Sequence, residues 1–168
     1  MLGYVIAEGR GAADRVLAEL ARRLHDEGWP LAGAVQVNSE RGEMHPCDMD
    51  LHVLAADRIV RISQNLGSLA KGCRLDPSGL EQAVGMVEAA LDAKPGPRLL
   101  IVNKFGKQEI DGRGFRPVIG RALTAGVPVL TAVNSANLPG FEAFAHGLAE
   151  SLPLDFDAIL DWCHRAVE

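Results

Sequence analysis

Short apolar runs alternate along this chain with segments whose apolar residues recur at helical spacing. The runs at 2–7, 31–38, 99–102 and 127–133 predict buried strands. Between the first two, the spacing of residues 12–27 predicts a helix that ends before Gly28. Strand, turn, helix and strand in this order are typical of a mainly parallel α/β sheet with right-handed crossovers.

Residues 49–63 follow another pattern, because polar and apolar residues alternate on both sides of Ala56 and Asp57. This pattern predicts an antiparallel hairpin appended to the sheet. The polar stretches 39–48 and 64–74 are predicted loops, and Asp76 and Pro77 start a helix that runs to about residue 93. Two further helices are predicted, one from Pro139 that Pro153 interrupts and one over 155–167.

Composition narrows the class of protein. The 168 residues predict one α/β domain, 1–168, and 48% hydrophobic residues are enough for a core. A net charge of -5 does not favour nucleic acid or a membrane surface as a partner. The three cysteines show no disulfide or metal spacing, no signal peptide is recognisable, and no apolar run approaches the roughly 20 residues of a membrane span. We therefore expect a cytoplasmic protein without membrane insertion.

The first candidate site is the polar loop that follows the strand at 99–102. Ligands bind outside the carboxyl ends of strands in such sheets, and clustered cations can hold a tetrahedral oxyanion. The alternative is that these cations pair with Glu109 and Asp111 and are solvated. The residues considered for a small anion are Asn103, Lys104, Lys107, Arg113 and Arg116.

The second candidate is the long loop after the hairpin, where neutral donors and glycines can form an anion nest. The alternative is a long turn whose side chains satisfy the local backbone. We expect both loops to line one pocket, together with the polar end of the strand at 127–133, whose residues can instead cap the next helix. The residues are Ser63, Gln64, Asn65, Gly67, Ser68, Cys73 and Arg74, with Asn134 and Ser135 from the strand end.

No catalytic residue, metal site or firm cofactor is predicted. Cys73 has cationic neighbours, yet no histidine motif supports a Cys–His nucleophile. The group His45, Cys47, Asp48 and His52 lacks the tight paired spacing of zinc sites.

The stretch 103–109 resembles the small nucleoside-triphosphatases of the thermophilic, cancer-related NTPase family, whose motif there is Asp-Glu-Ile-Gly-Lys-Met-Glu. Gly106, Lys107 and Glu109 match it, whereas Asn103 and Lys104 replace its acidic pair. A P-loop needs G-x-x-x-x-G-K-[ST], which residues 7–15 lack. Since Glu8 also stands where phosphate would come, NTP hydrolysis is not expected.

Stretches 61–68, 72–76 and 103–115 are more similar to a family of uncharacterised bacterial proteins that look like degenerate relatives of those NTPases. Genes of that family commonly lie beside molybdate-uptake transporter genes. The resemblance implies a three-layer, P-loop-NTPase-like fold and a role in molybdenum or tungsten homeostasis.

The leading hypothesis is a non-catalytic protein that binds molybdate or tungstate. One alternative is a nucleotide-binding protein or altered NTPase that keeps the ancestral phosphate pocket. Another is an interaction module for a molybdate transporter or a molybdenum-cofactor protein. The exposed edge of the hairpin leaves a homo-oligomer open.

Overall fold

The computed structural model describes residues 1–9, 11–37, 49–64 and 74–168, without the Arg74 side chain. Its strands are β1 (Leu2–Ile6), β2 (Leu31–Val37), β3 (Asp50–Val53), β4 (Arg58–Arg61), β5 (Ser63–Gln64), β6 (Arg74–Leu75), β7 (Leu99–Val102), β8 (Val129–Val133) and β9 (Ala149–Leu152). Its helices are α1 (Ala12–Asp26), α2 (Pro77–Leu91), α3 (Lys107–Ile110), α4 (Arg116–Thr124), α5 (Leu138–Ala145) and α6 (Phe156–Ala166).

Seven of the strands form one sheet in the order β4-β3-β2-β7-β8-β1-β9. The five strands from β2 to β9 in this order are parallel, and β3 and β4 are antiparallel. The buried residues of α1 and α6 pack on one face of the sheet, and those of α2, α4 and α5 pack on the other. The three-layer α/β fold with an appended hairpin is therefore confirmed.

Several local predictions are confirmed because short-range chemistry determines them. In α1, Leu17, Leu20 and Leu24 are fully buried, and Gly28 follows the helix end with φ +81°. The Asp76 side chain caps α2 by accepting a hydrogen bond from the Ser78 N–H at 3.0 Å. The helix ends at Leu91, slightly before the predicted boundary.

The helix predicted from Pro139 to Pro153 is wrong in its second half. The helix α5 ends at Ala145, where His146 and Gly147 both have positive φ. The chain then enters β9, which pairs in parallel with β1 at the edge of the sheet. Leu148, just after the end of α5, is 81% exposed. A position beside β1 stabilises the strand, although its own sequence has no strong strand pattern.

Within the described ranges, no helix has the length and hydrophobicity needed to cross a bilayer. The predicted loop at 39–48 lies outside the described residues. The ends of the other predicted loop pair as the two-stranded sheet of β5 and β6, and its interior, 65–73, also lies outside them.

Candidate functional site

The carboxyl ends of β1, β2, β7 and β8 meet at one edge of the sheet because these strands are parallel. The hairpin brings its own polar end to this edge, since Val37 pairs with Asp50 and Asp50 pairs with Arg61. Strand β5 follows directly. In sheets of this kind, ligands bind at this edge.

Asn103 follows β7 and is only 4% exposed. Its Oδ1 accepts a hydrogen bond from the Gln36 N–H at 2.8 Å, and its Nδ2 donates to Asp14 Oδ1 at 2.9 Å. The side chain thus joins β7 to β2 and to the first turn of α1. Both ends of the amide are engaged in internal hydrogen bonds.

Two carboxylates lie at the turn between β1 and α1, and Arg15 follows Asp14 in the helix. Gly9 and Gly11 adopt positive φ there, Asp14 lies in the first turn of α1, and Glu8 Oε1 accepts a hydrogen bond from Ser135 Oγ at 3.4 Å. Residues 11–15 include no lysine, serine or threonine. Two acidic groups at this helix start disfavour the binding of a phosphate.

Glu109 is a buried carboxylate in the loop after β7. Its Oε2 accepts from the Gly106 N–H at 2.9 Å and its Oε1 from the Phe115 N–H at 3.0 Å. Burial raises the pKa of Glu109 above its ordinary value, whereas these backbone donors act to lower it, and nearby Glu81 adds to the rise. The N–H groups of Gly106 and Phe115 are therefore engaged by an internal carboxylate and are not available to a bound anion.

Two of the four predicted cations have local partners. Arg113 donates to Gln108 Oε1 at 3.3 Å and lies 3.4 Å from Asp111 Oδ2. Arg116 Nη1 donates to the carbonyl oxygens of Glu109 and Ile110, and its guanidinium lies over the Phe144 ring. For these two arginines the structure matches the alternative of local pairing, although Glu109 itself is bound by backbone N–H groups.

Lys104 and Lys107 are different. Both side chains are exposed, and neither makes a hydrogen bond or ion pair with any residue in the described part of the chain. They lie on the loop between β7 and α3, at the edge of the sheet where ligands bind in folds of this kind. They are the cations of this loop that remain available to a ligand.

The residues after the hairpin are described only in part. Ser63 Oγ accepts from the Met49 N–H at 3.0 Å, and Gln64 is exposed. No hydrogen bond among the described residues joins either of them to Lys107 or Arg113. Asn65, Gly67, Ser68, Cys73 and the Arg74 side chain lie outside the described residues, so their place in the site stays a prediction.

The residues that were predicted to line one pocket do not all lie together. Asn103 contacts α1, whereas Arg113 lines a groove of about 620 Å³ with Glu81 and Glu88 of α2. Because α1 and α2 cover opposite faces of the sheet, Asn103 and Arg113 are directed to different sides. Asn134 caps the short 3-10 helix at Ser135–Asn137 by accepting from the Asn137 N–H at 2.9 Å, which matches the capping alternative.

Sequence reasoning missed Asp14 as a site residue. Its signal was weak, because an acid in the first turn of a helix is an ordinary stabilising feature. Among the described residues no three His, Cys, Asp or Glu side chains form a metal-binding group. Cys163 is buried, and burial raises the pKa of its thiol to about 12.

Residues 2–162 match the family model described as "Protein of unknown function (DUF2478)". The chain belongs to the DUF2478 family. The chain is also similar in structure to a human cancer-related nucleoside triphosphatase solved in solution, with a TM-score of 0.69 and 15% sequence identity. The match covers 99% of this chain and 96% of that one. That likeness confirms the fold expected of a P-loop NTPase relative.

This DUF2478 chain is also similar to a much longer protein. Over 149 residues it is 36% identical to the molybdenum import ATP-binding protein ModC 2 of Bradyrhizobium diazoefficiens. The match covers 89% of this chain and 16% of ModC 2. The chain therefore spans only a small part of the length of this relative.

Proposed function

We propose that this protein is a non-hydrolysing domain of molybdenum import that binds molybdate or tungstate in the cytoplasm. The observation that carries the proposal is the similarity to ModC 2, in which a related stretch belongs to the same chain as a molybdenum import ATP-binding protein. A domain joined covalently to such a protein acts at a high effective concentration beside it. We infer that a domain placed beside the import protein in this way senses the imported anion.

The chemistry of the sheet edge supports an anionic ligand at the loop after β7. Lys104 and Lys107 are exposed there without partners among the described residues, and an ammonium group is a compact, mobile donor for an oxyanion. In the proposal, neutral donors from 63–68, together with Cys73 and the cationic Arg74, complete the coordination. Asn103 contributes by fixing the loop through Asp14 rather than by contacting the ligand.

The same edge argues against hydrolysis of a nucleoside triphosphate. Asn103 stands where the related NTPase motif has an acid, and Glu8 and Asp14 carry negative charge at the turn where a phosphate chain would lie. Phosphoryl transfer depends on cations and a metal ion at that place. The proposed role therefore involves binding without turnover.

Calorimetric titration with molybdate, tungstate and sulfate tests the proposal. We expect molybdate and tungstate to bind, and the double substitution Lys104→Ala/Lys107→Ala to weaken binding by about tenfold, because each exposed charge contributes about 0.2–1 kcal/mol. Lys94→Ala is the matched control, since this exposed lysine lies before β7 at the opposite edge. Absence of binding at millimolar molybdate and tungstate would reject the proposal.

A second candidate is a nucleotide-binding protein, favoured by the structural likeness to a nucleoside triphosphatase over 99% of the chain. Thermal unfolding in the presence of ATP, GTP or molybdate separates the two, because a ligand that binds only the folded state raises the Tm. A rise with ATP or GTP and none with molybdate would favour the second candidate.

A further inference from the structure

Arg116, the first residue of α4, makes three contacts inside the protein. Its Nη1 donates to the carbonyl oxygens of Glu109 at 3.3 Å and of Ile110 at 3.2 Å. Its guanidinium carbon lies 5.2 Å from the centroid of the Phe144 ring in α5. The side chain is partly buried, so water screens these contacts only in part. The guanidinium thus joins α4 to two other helices.

The two carbonyl groups belong to the last residues of α3, the helix whose first residue is Lys107. With four residues, α3 is too short to be stable through its own hydrogen bonds. Its position therefore depends on contacts with its surroundings. Arg116 holds the end of α3, and the Glu109 carboxylate binds the Gly106 N–H just before its start. A change at Arg116 thus acts directly on the backbone that carries Lys107.

The ring beneath the guanidinium connects Arg116 to the other lysine. Phe144 packs against the fully buried Phe105, with ring centroids 5.1 Å apart. Phe105 follows Lys104 directly, and its N–H donates to the carbonyl oxygen of Ala132 in β8 at 2.8 Å. Arg116 therefore contacts two supports of the loop after β7, which are the end of α3 and the aromatic side chains next to Lys104.

We propose that Arg116 is a positioning residue, which holds Lys104 and Lys107 in the arrangement that binds the oxyanion and does not contact the anion itself. The inference rests on the proposed function, because it assigns Arg116 a role in the same site. A loop that is fixed before the ligand arrives loses less conformational entropy on binding. Lysine cannot replace arginine here, since an ammonium group has no planar fork to reach two carbonyl groups while it stacks on a ring.

Calorimetric titration of Arg116→Lys with molybdate tests the proposal. The substitution keeps the charge, so a loss of affinity reports the geometry of the guanidinium. We expect molybdate to bind about threefold or more weaker, but less than the roughly tenfold loss expected without both lysines, because Arg116 acts only through them. The control is Arg121→Lys, which should leave the affinity unchanged, since Arg121 of the same helix pairs with Asp92.

A double-mutant cycle separates positioning from a general loss of stability. In the background Lys104→Ala/Lys107→Ala, the further substitution Arg116→Lys should not change the affinity for molybdate, because the groups that Arg116 positions are gone. An equal loss of affinity in both backgrounds would overturn the proposal.

The same titrations distinguish this inference from the proposed function. If the wild-type protein binds neither molybdate nor tungstate, the proposed function fails and the role of Arg116 fails with it. If the wild type binds and Arg116→Lys binds equally tightly, only the role of Arg116 is wrong. Should Arg116→Lys not melt cooperatively, Phe144→Leu removes the ring beneath the guanidinium and keeps an apolar side chain. That variant should also bind more weakly, and an unchanged affinity would refute the inference.

Discussion

The substitution Asn103→Asp probes the contact between β7 and α1 with almost no change in volume. It keeps the oxygen that accepts the Gln36 N–H and replaces the amide that donates to Asp14. Two carboxylate oxygens would then face each other where a hydrogen bond of 2.9 Å now exists. Since position 103 is 4% exposed, water offers little screening.

Two effects set the expected magnitude. Loss of a buried hydrogen bond costs about 1–3 kcal/mol. Repulsion between two unit charges about 4 Å apart is about 4 kcal/mol at an effective dielectric constant of about 20. Proton uptake by the pair limits this repulsion, because each unit of pKa shift corresponds to about 1.36 kcal/mol. We therefore expect the free energy of unfolding at pH 7 to fall by about 2–4 kcal/mol, from a usual total of about 5–15 kcal/mol.

Urea unfolding at pH 7 and near pH 4 is the assay. The loss should shrink at the lower pH, where one carboxyl becomes protonated and can again donate a hydrogen bond. The double variant Asp14→Asn/Asn103→Asp reverses donor and acceptor, so it should regain most of the lost stability. If the single variant is as stable as the wild type at pH 7, or the reversal regains nothing, the role assigned to this contact is wrong.

Two further predictions concern the buried carboxylate of Glu109. Burial raises the pKa of Glu109 above 4.5, so the stability that this group contributes is fully present below pH 4.5 and is lost as the pH rises through the raised pKa. In urea unfolding at several pH values, Glu109→Gln should remove this decline. The control Glu142→Gln, at an exposed position, should leave the decline unchanged. Gly114→Ala should lower the free energy of unfolding by more than about 2 kcal/mol, since Gly114 has φ +60° and a Cβ there would lie 2.3 Å from Glu109 Oε1. Gly112→Ala, at φ +86° but with open space around the Cβ, should lower it by only about 1–2 kcal/mol. Equal losses for the two variants would contradict this reasoning.

The sequence predicted the parts of the fold that local patterns determine. The alternation in 49–63 gives the hairpin, and Asp76 before Pro77 gives the start of α2. Strand β9 was missed because its pairing with β1 is a tertiary effect that its own residues do not encode. The order of the elements alone predicts that a ligand binds at the carboxyl ends of the strands, and this location stays a prediction.

The chemistry of that edge was less predictable. Asp14 and Asn103 are distant in sequence, so no local sequence pattern predicts their hydrogen bond. Glu109 looks like a solvated charge in the sequence, yet the fold buries it and gives it two backbone donors. Arg113 and Arg116 look equivalent to Lys104 and Lys107, and only the packing shows which cations are already engaged.

The position of β1 within the sheet affects the order in which the protein can assemble on the ribosome. Both neighbours of β1 are distant from it in sequence, since Leu2 aligns with Val129 of β8 and with Ala149 of β9. Strand β1 therefore remains without these partners until the ribosome has synthesised β8 and β9. During that interval its backbone groups are open to wrong pairing, so nascent chains should depend on chaperones more than a fold with local contacts would.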